Sequence, residues 1–132
     1  MALQYSVAVN NARLDAVEST TGATAKLQIR TGAQPANCAA AASGTLLAEL
    51  TLPSDWMAAA SAGVKAKLGT WTGTAVGTGT AAHFRIVDNA ATTCHTQGSA
   101  GLSATDMILD NTSIATGQTF TVNTFTLTAA NT

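Results

Sequence analysis

Apolar and polar residues alternate with a period of two over most of this chain, and that limits it to strands. Ala25, Leu27 and Ile29 interleave with Lys26, Gln28 and Arg30. Residues 45–52 put Leu46, Ala48, Leu50 and Leu52 on one side. Residues 63–72 set Val64, Ala66 and Leu68 against Lys65 and Lys67. Residues 80–87 set Ala82, Phe84 and Ile86 against His83 and Arg85. Successive side chains of a strand point to opposite faces, so each segment predicts one apolar and one solvated face. Short strands are also expected at 92–97, paired as a hairpin with 80–87, and at 106–109 and 112–114. The final pattern, Phe120 and Val122 followed by Phe125 and Leu127, slips by one and predicts a β-bulge near Asn123 and Thr124.

Turn chemistry separates these segments: residues 31–37 with Gly32 and Pro35, the small-residue stretch 38–44, Pro53-Ser54-Asp55, Asp88-Asn89, residues 98–101 and Thr116-Gly117-Gln118. Residues 74–80 are glycine-rich and read as a connection, and Trp56-Met57 as the start of a short helical turn. Residues 7–20 form the one good helical stretch, with Ser6 as N-cap and Gly22 as the stop, and with Leu14 on one side beside Val7 and Val17. The expectation is a mainly all-β fold, an antiparallel β-sandwich or jelly-roll-like domain with one short N-terminal helix, in a single domain spanning residues 1–132. The expected core is Leu27, Ile29, Leu46, Leu50, Val64, Leu68, Phe84, Ile86, Met107, Leu109, Phe120, Val122, Phe125 and Leu127.

Charge narrows the functional classes. Asp, Glu, Lys and Arg make up 10% of the 132 residues, against about 25% in an average soluble domain. Interface cores are depleted of charge in this way, so the composition points to a structural or binding role. Arg13, Lys26, Arg30, Lys65, Lys67 and Arg85 are scattered along the chain and form no basic footprint for nucleic acid. No apolar run reaches the length of a membrane span, and the N-terminal residues lack the pattern of a secretory signal, so synthesis in the cytoplasm is expected.

Catalytic motifs are sparse, and no enzyme activity and no cofactor are expected. Cys94 and His95 are strand neighbours facing opposite ways, and His83 could meet Cys94 only across a hairpin. Asp106 and Asp110 flank one strand and would make at most a weak calcium site. Cys38 and Cys94 read either as two reduced thiols or as a disulfide tying a loop to a strand; a metal pair has no supporting spacing. Trp56 and Trp71 read as core or interface residues, with sugar stacking as the alternative. Candidate interface residues are Arg13, Trp56 and Trp71, together with the two termini.

Several segments taken together carry a resemblance: residues 11–17 (Asn11-Ala12-Arg13-Leu14-Asp15-Ala16-Val17), residues 25–36, residues 43–50, His83-Phe84-Arg85-Ile86-Val87-Asp88 and residues 112–117. The chain resembles small virion structural proteins of tailed bacteriophages, most of all capsid decoration, or cement, proteins. The resemblance implies a β-sandwich that binds the major capsid protein on the outer capsid surface of the virion, as a homo-oligomer such as a trimer, and stabilises the head. It also implies the alternative of a neck, collar or tail component; a separate alternative, resting on the tryptophans, is a carbohydrate-binding module for host attachment. The resemblance carries over no functional residue, because the likeness lies in scaffold segments.

Overall fold

A computed structural model describes residues 3–129. The candidate contact termini, Met1-Ala2 and Asn131-Thr132, lie outside the described residues. The protein is mostly β, 40% strand and 12% helix. Helix α1 (Val7–Thr21) comes first, followed by β1 (Lys26–Arg30), β2 (Leu46–Thr51), β3 (Val64–Ala66), β4 (Trp71–Thr74), β5 (Gly79–Thr80), β6 (His83–Val87), β7 (Cys94–Gly101), β8 (Met107–Leu109), β9 (Ser113–Ile114) and β10 (Thr119–Thr128). Strands run in the order β2-β1-β6-β7-β8-β10-β3, with β4 also on β10 and β5 paired to β9. The expected purely antiparallel sheet is corrected: β7 and β8 pair in parallel, Ala100 opposite Met107, so the sheet is mixed. It curls until Val76 and Gly77 donate their N–H groups to the Leu47 carbonyl of β2.

Local signals account for most element ends. Ser6 caps α1 by accepting from the Val9 N–H at 3.2 Å, and Gly22 stops it with φ +96° while its N–H bonds the Glu18 carbonyl. The β6–β7 hairpin turns on Asp88, whose carboxylate accepts from the Thr92 and Thr93 N–H groups at 2.7 and 3.1 Å. The register of β10 against β8 shifts between Val122 and Thr124, where the phase slip predicts a bulge. Two loop assignments are corrected. Residues 98–101 continue β7 rather than forming a loop. Trp56-Met57 begins no helical turn; Met57 instead forms an isolated antiparallel bridge with Lys67.

The core fills the concave side of the sheet. Across three strands, Leu50, Leu27 and Ile86 lie in one register row and Ala48, Ile29 and Phe84 in the next, all buried. An aromatic chain continues the core: Trp56 to Trp71 at 6.1 Å between ring centres, Trp71 to Phe125 at 5.8 Å, and Phe125 edge-on to Phe84 at 5.4 Å. Each indole N–H reaches a carbonyl, Trp56 that of Gly22 at 3.0 Å and Trp71 that of Leu68 at 3.1 Å.

Two expected core positions are corrected. Val64 and Leu68 are exposed, at 38% and 41%, whereas Lys65 is 2% exposed. Residues 61–64 cause the inversion. Ser61 and Val64 exchange backbone hydrogen bonds around Ala62 (φ +53°) and Gly63 (φ +74°), a two-residue turn with both central residues left-handed. This turn fixes the phase of β3 so that Lys65 points inward. Alanine pays about 1–2 kcal/mol for that conformation, and asparagine less. We therefore expect Ala62→Asn to raise the unfolding free energy by about 0.5–1 kcal/mol, measured by urea denaturation. An unchanged or lowered value would count against this turn.

Candidate functional site

Two polar clusters stand out, one under the helix and one on the convex face of the sheet. Helix α1 is scarcely amphipathic, and its buried residues are only Asn10, Leu14 and Thr21. Polar side chains at i, i+4 and i+7 dock it instead. Asn11 Oδ1 accepts from the Gly63 N–H at 2.9 Å, Asp15 Oδ1 from the Ala60 N–H at 2.9 Å, and Glu18 Oε2 from the Met57 N–H at 2.7 Å. Lys65 Nζ completes the clamp, 2.8 Å from Asp15 Oδ1 and 3.2 Å from Glu18 Oε1, with a third bond to the Ala58 carbonyl at 3.0 Å. All three ammonium protons are thereby satisfied.

Burial pulls the Lys65 pKa down, but the hydrogen bonds and charges of Glu18 and Asp15 outweigh it and leave the pKa raised. The Lys65 hydrogen bond, then the Ala60 N–H, hold Asp15 below its ordinary carboxylate value. Asp15 therefore contributes stability above its ordinary value of 3.8, lost as pH falls through the lower folded value. Lys65 contributes stability below its ordinary value of 10.5, lost as pH rises through the higher folded value. The clamp should thus hold at neutral pH and weaken at both extremes. Lys65→Met should lower the unfolding free energy at pH 7 by about 2–3 kcal/mol, below the range for a fully buried pair because Asp15 is half-exposed. In that variant the part of the acid loss that Asp15 carries should shrink, because without Lys65 its carboxyl lies closer to the ordinary value. Superimposable urea curves across pH would refute the clamp.

On the convex face, residues 31–45 lie as a strap across β1, β6 and β7. One register row there reads Glu49, Gln28, Arg85, Gln97 across β2, β1, β6 and β7. Their side chains bond sideways and upward. Gln28 Nε2 donates to Glu49 Oε2 at 2.8 Å, and Arg30 Nε to Gln28 Oε1 at 3.3 Å. Arg85 Nη2 donates to the Cys38 and Ala40 carbonyls at 2.9 and 3.0 Å, Gln97 Nε2 to the Pro35 carbonyl at 2.7 Å, and His83 Nδ1 to the Gly32 carbonyl at 2.9 Å. At Gly44, with φ +72°, a Cβ would lie 1.9 Å from the Thr31 carbonyl oxygen, so only glycine lets the strap return this closely. The expected solvated face of 80–87 is corrected accordingly: His83 and Arg85 are 1% and 4% exposed.

The strap brings the two cysteines together, with Cys38 Sγ and Cys94 Sγ 2.8 Å apart, both half-buried free thiols. Burial, with the hydrogen bond and charge of Cys94 acting in the same direction, pushes the Cys38 thiol up to about 11, against the pull of Arg85. We expect glutathione disulfide to convert the pair to an intramolecular disulfide by two exchange steps that release two glutathione thiols. Closing a loop of this length stabilises by about 4 kcal/mol at most in the chain-entropy model. The oxidised protein should resist iodoacetamide and melt higher; both thiols remaining alkylatable after oxidation would overturn the expectation.

The remaining candidates separate. Trp56 and Trp71 are 0% and 1% exposed, so their reading as interface or sugar-stacking residues is corrected: they are core. Arg13 stays on the surface, its guanidinium 4.8 Å from the Tyr5 ring centre. His83 pairs in register with Ser99 and Cys94 with Val87, so the hairpin does not join them. Asp106 accepts from the Ser99 N–H and hydroxyl, and Asp110 from the Thr121 N–H; each is a local strand tie. Among the described residues no group of three or more His, Cys, Asp or Glu could hold a metal ion, and no helix is long and apolar enough to cross a membrane. The docking stripe Asn11, Asp15 and Glu18 was readable as a polar helical spacing, which a search for apolar periodicity passes over. Comparisons with protein-family models, curated proteins and solved structures return no match to this chain.

Proposed function

We propose that this protein is a non-enzymatic structural component of a virion, binding the outer surface of a phage capsid as a decoration or cement protein. It acts there as a homo-oligomer, a trimer in the simplest arrangement, with the major capsid protein as partner. The observation that carries the reading is the division of labour among side chains. The carboxylates of Asp15, Glu18, Asp88, Asp106 and Asp110 are tied to backbone or side-chain groups of the fold. The chain carries few charges, 10% of its residues, and Leu3, Val7 and Val9 lie bare along the start of α1, at 69%, 51% and 44% exposure. Such a surface loses little on desolvation, and symmetry multiplies weak contacts into firm attachment.

Quantitative mass spectrometry of purified particles tests this, with this polypeptide counted against the major capsid protein. Copies in a simple ratio to the capsid protein are expected. A small ring-like number would move the protein to the neck, collar or tail, and its absence from particles would end the virion reading.

A further inference from the structure

The strap does more than cover the sheet: it roofs a cleft lined by two arginines. Arg30 of β1 and Arg85 of β6 share a cavity of about 300 Å³ with Gln28, Cys38, Cys94 and the small side chains of residues 39–42. From the geometry we propose that this cleft is a binding site for a small oxyanion of the phosphate or carboxylate type, held between the Arg30 and Arg85 guanidiniums. The inference stands independently of the virion reading.

Three observations support it. First, the charges are uncompensated. The ion pairs among the described residues are those of Lys65, so neither guanidinium has a carboxylate within 4.0 Å. The nearest acidic group in the row, Glu49, spends Oε2 on Gln28. Second, the two arginines oppose each other: burial, then the positive charge of Arg85, lower the Arg30 pKa, and Glu49 offsets this only in part. A guanidinium does not relieve such repulsion by losing its proton, so a bound anion is the available remedy. Third, Arg85 is 4% exposed, and while Nη2 makes two strap bonds, buried Nη1 has no partner. An unpaired buried charged donor is costly, and it is a free half of a fork shaped for two oxygens. Alanines at 39–42 leave the room that larger side chains would fill. A water bridging Nη1 to Gln97 Oε1, its unpartnered neighbour in register, is the competing account.

The test is a titration of the folded protein followed by ¹H–¹⁵N spectra that include the arginine Nε–H signals. Inorganic phosphate and acetate are added in separate series at pH 7 and constant ionic strength, with chloride as the control. Saturable shifts at Arg30, Arg85 and the amides of 40–42 are expected with phosphate, acetate or both, and the series that saturates identifies the oxyanion. Arg30→Gln should weaken binding about tenfold or more, as for loss of a charge-assisted hydrogen bond; it gives up one 3.4 Å bond to the Gly44 carbonyl at the end of the strap and keeps both Arg85 strap bonds. Lys26→Gln, on the same strand but outside the cleft, should bind as wild type. Arg85→Gln should abolish binding, and because it also frees the strap, Arg30→Gln remains the deciding variant. Shifts that stay linear, that chloride reproduces, or that persist in Arg30→Gln would overturn the site.

Discussion

The ammonium of Lys65 holds helix α1 to β3 and the segment before it. It lies buried beneath α1 with two carboxylates and a carbonyl around it, so the helix and β3 cannot be placed independently. Because Asp15 and Glu18 lie one turn apart on the helix, the same contact sets its rotation about its own axis. That rotation brings the Gly22 carbonyl over the Trp56 indole and the Asn11 amide over the 61–64 turn. An apolar helix face could slide on its support; a helix read by three backbone N–H groups and one ammonium has a single seat. The clamp thus supplies the specificity that the weak apolar stripe of α1 lacks.

The convex face follows a different logic. A strand face beneath a strap of small residues gains little from hydrophobic burial, because alanine and glycine offer little area. Side chains of β1, β6 and β7 tie the strap down through its carbonyls, with Arg30, Arg85, Gln97 and His83 each serving as a donor. Donors suit this arrangement, since an irregular segment leaves many carbonyls unpaired. The Cys38–Cys94 contact lies at the margin of the same strap, so the thiol pair and the arginine cleft share one cover. The aromatic chain from Trp56 to Phe84 fills the concave side, while the two thiols and the Arg30–Arg85 cleft lie on the convex side.

Period-two patterning was enough to locate β1, β2, β6 and β10, because each buries its apolar side against one core. The bulge between Val122 and Thr124 was legible for the same reason, as a slip in that pattern. It failed at β3, where Lys65 rather than Val64 faces inward, since alternation gives two faces without saying which is buried. It failed again at His83 and Arg85, which look solvated until a distant strap covers them. Trp56 and Trp71 could be core or interface by type alone, and only the assembled aromatic chain decides for core.

Local signals suffice for the helix with its Ser6 cap and Gly22 stop, the strand segments and most of the turns. These depend on backbone sterics, hydrogen bonding between near neighbours, and side-chain period, all of which act over a few residues. The parallel β7–β8 pair, the inward lysine, the meeting of Cys38 with Cys94 across 56 positions and the cleft between Arg30 and Arg85 arise only in the assembled fold. Each of these joins groups far apart along the chain, and their free energy depends on burial and on partners that no local pattern encodes.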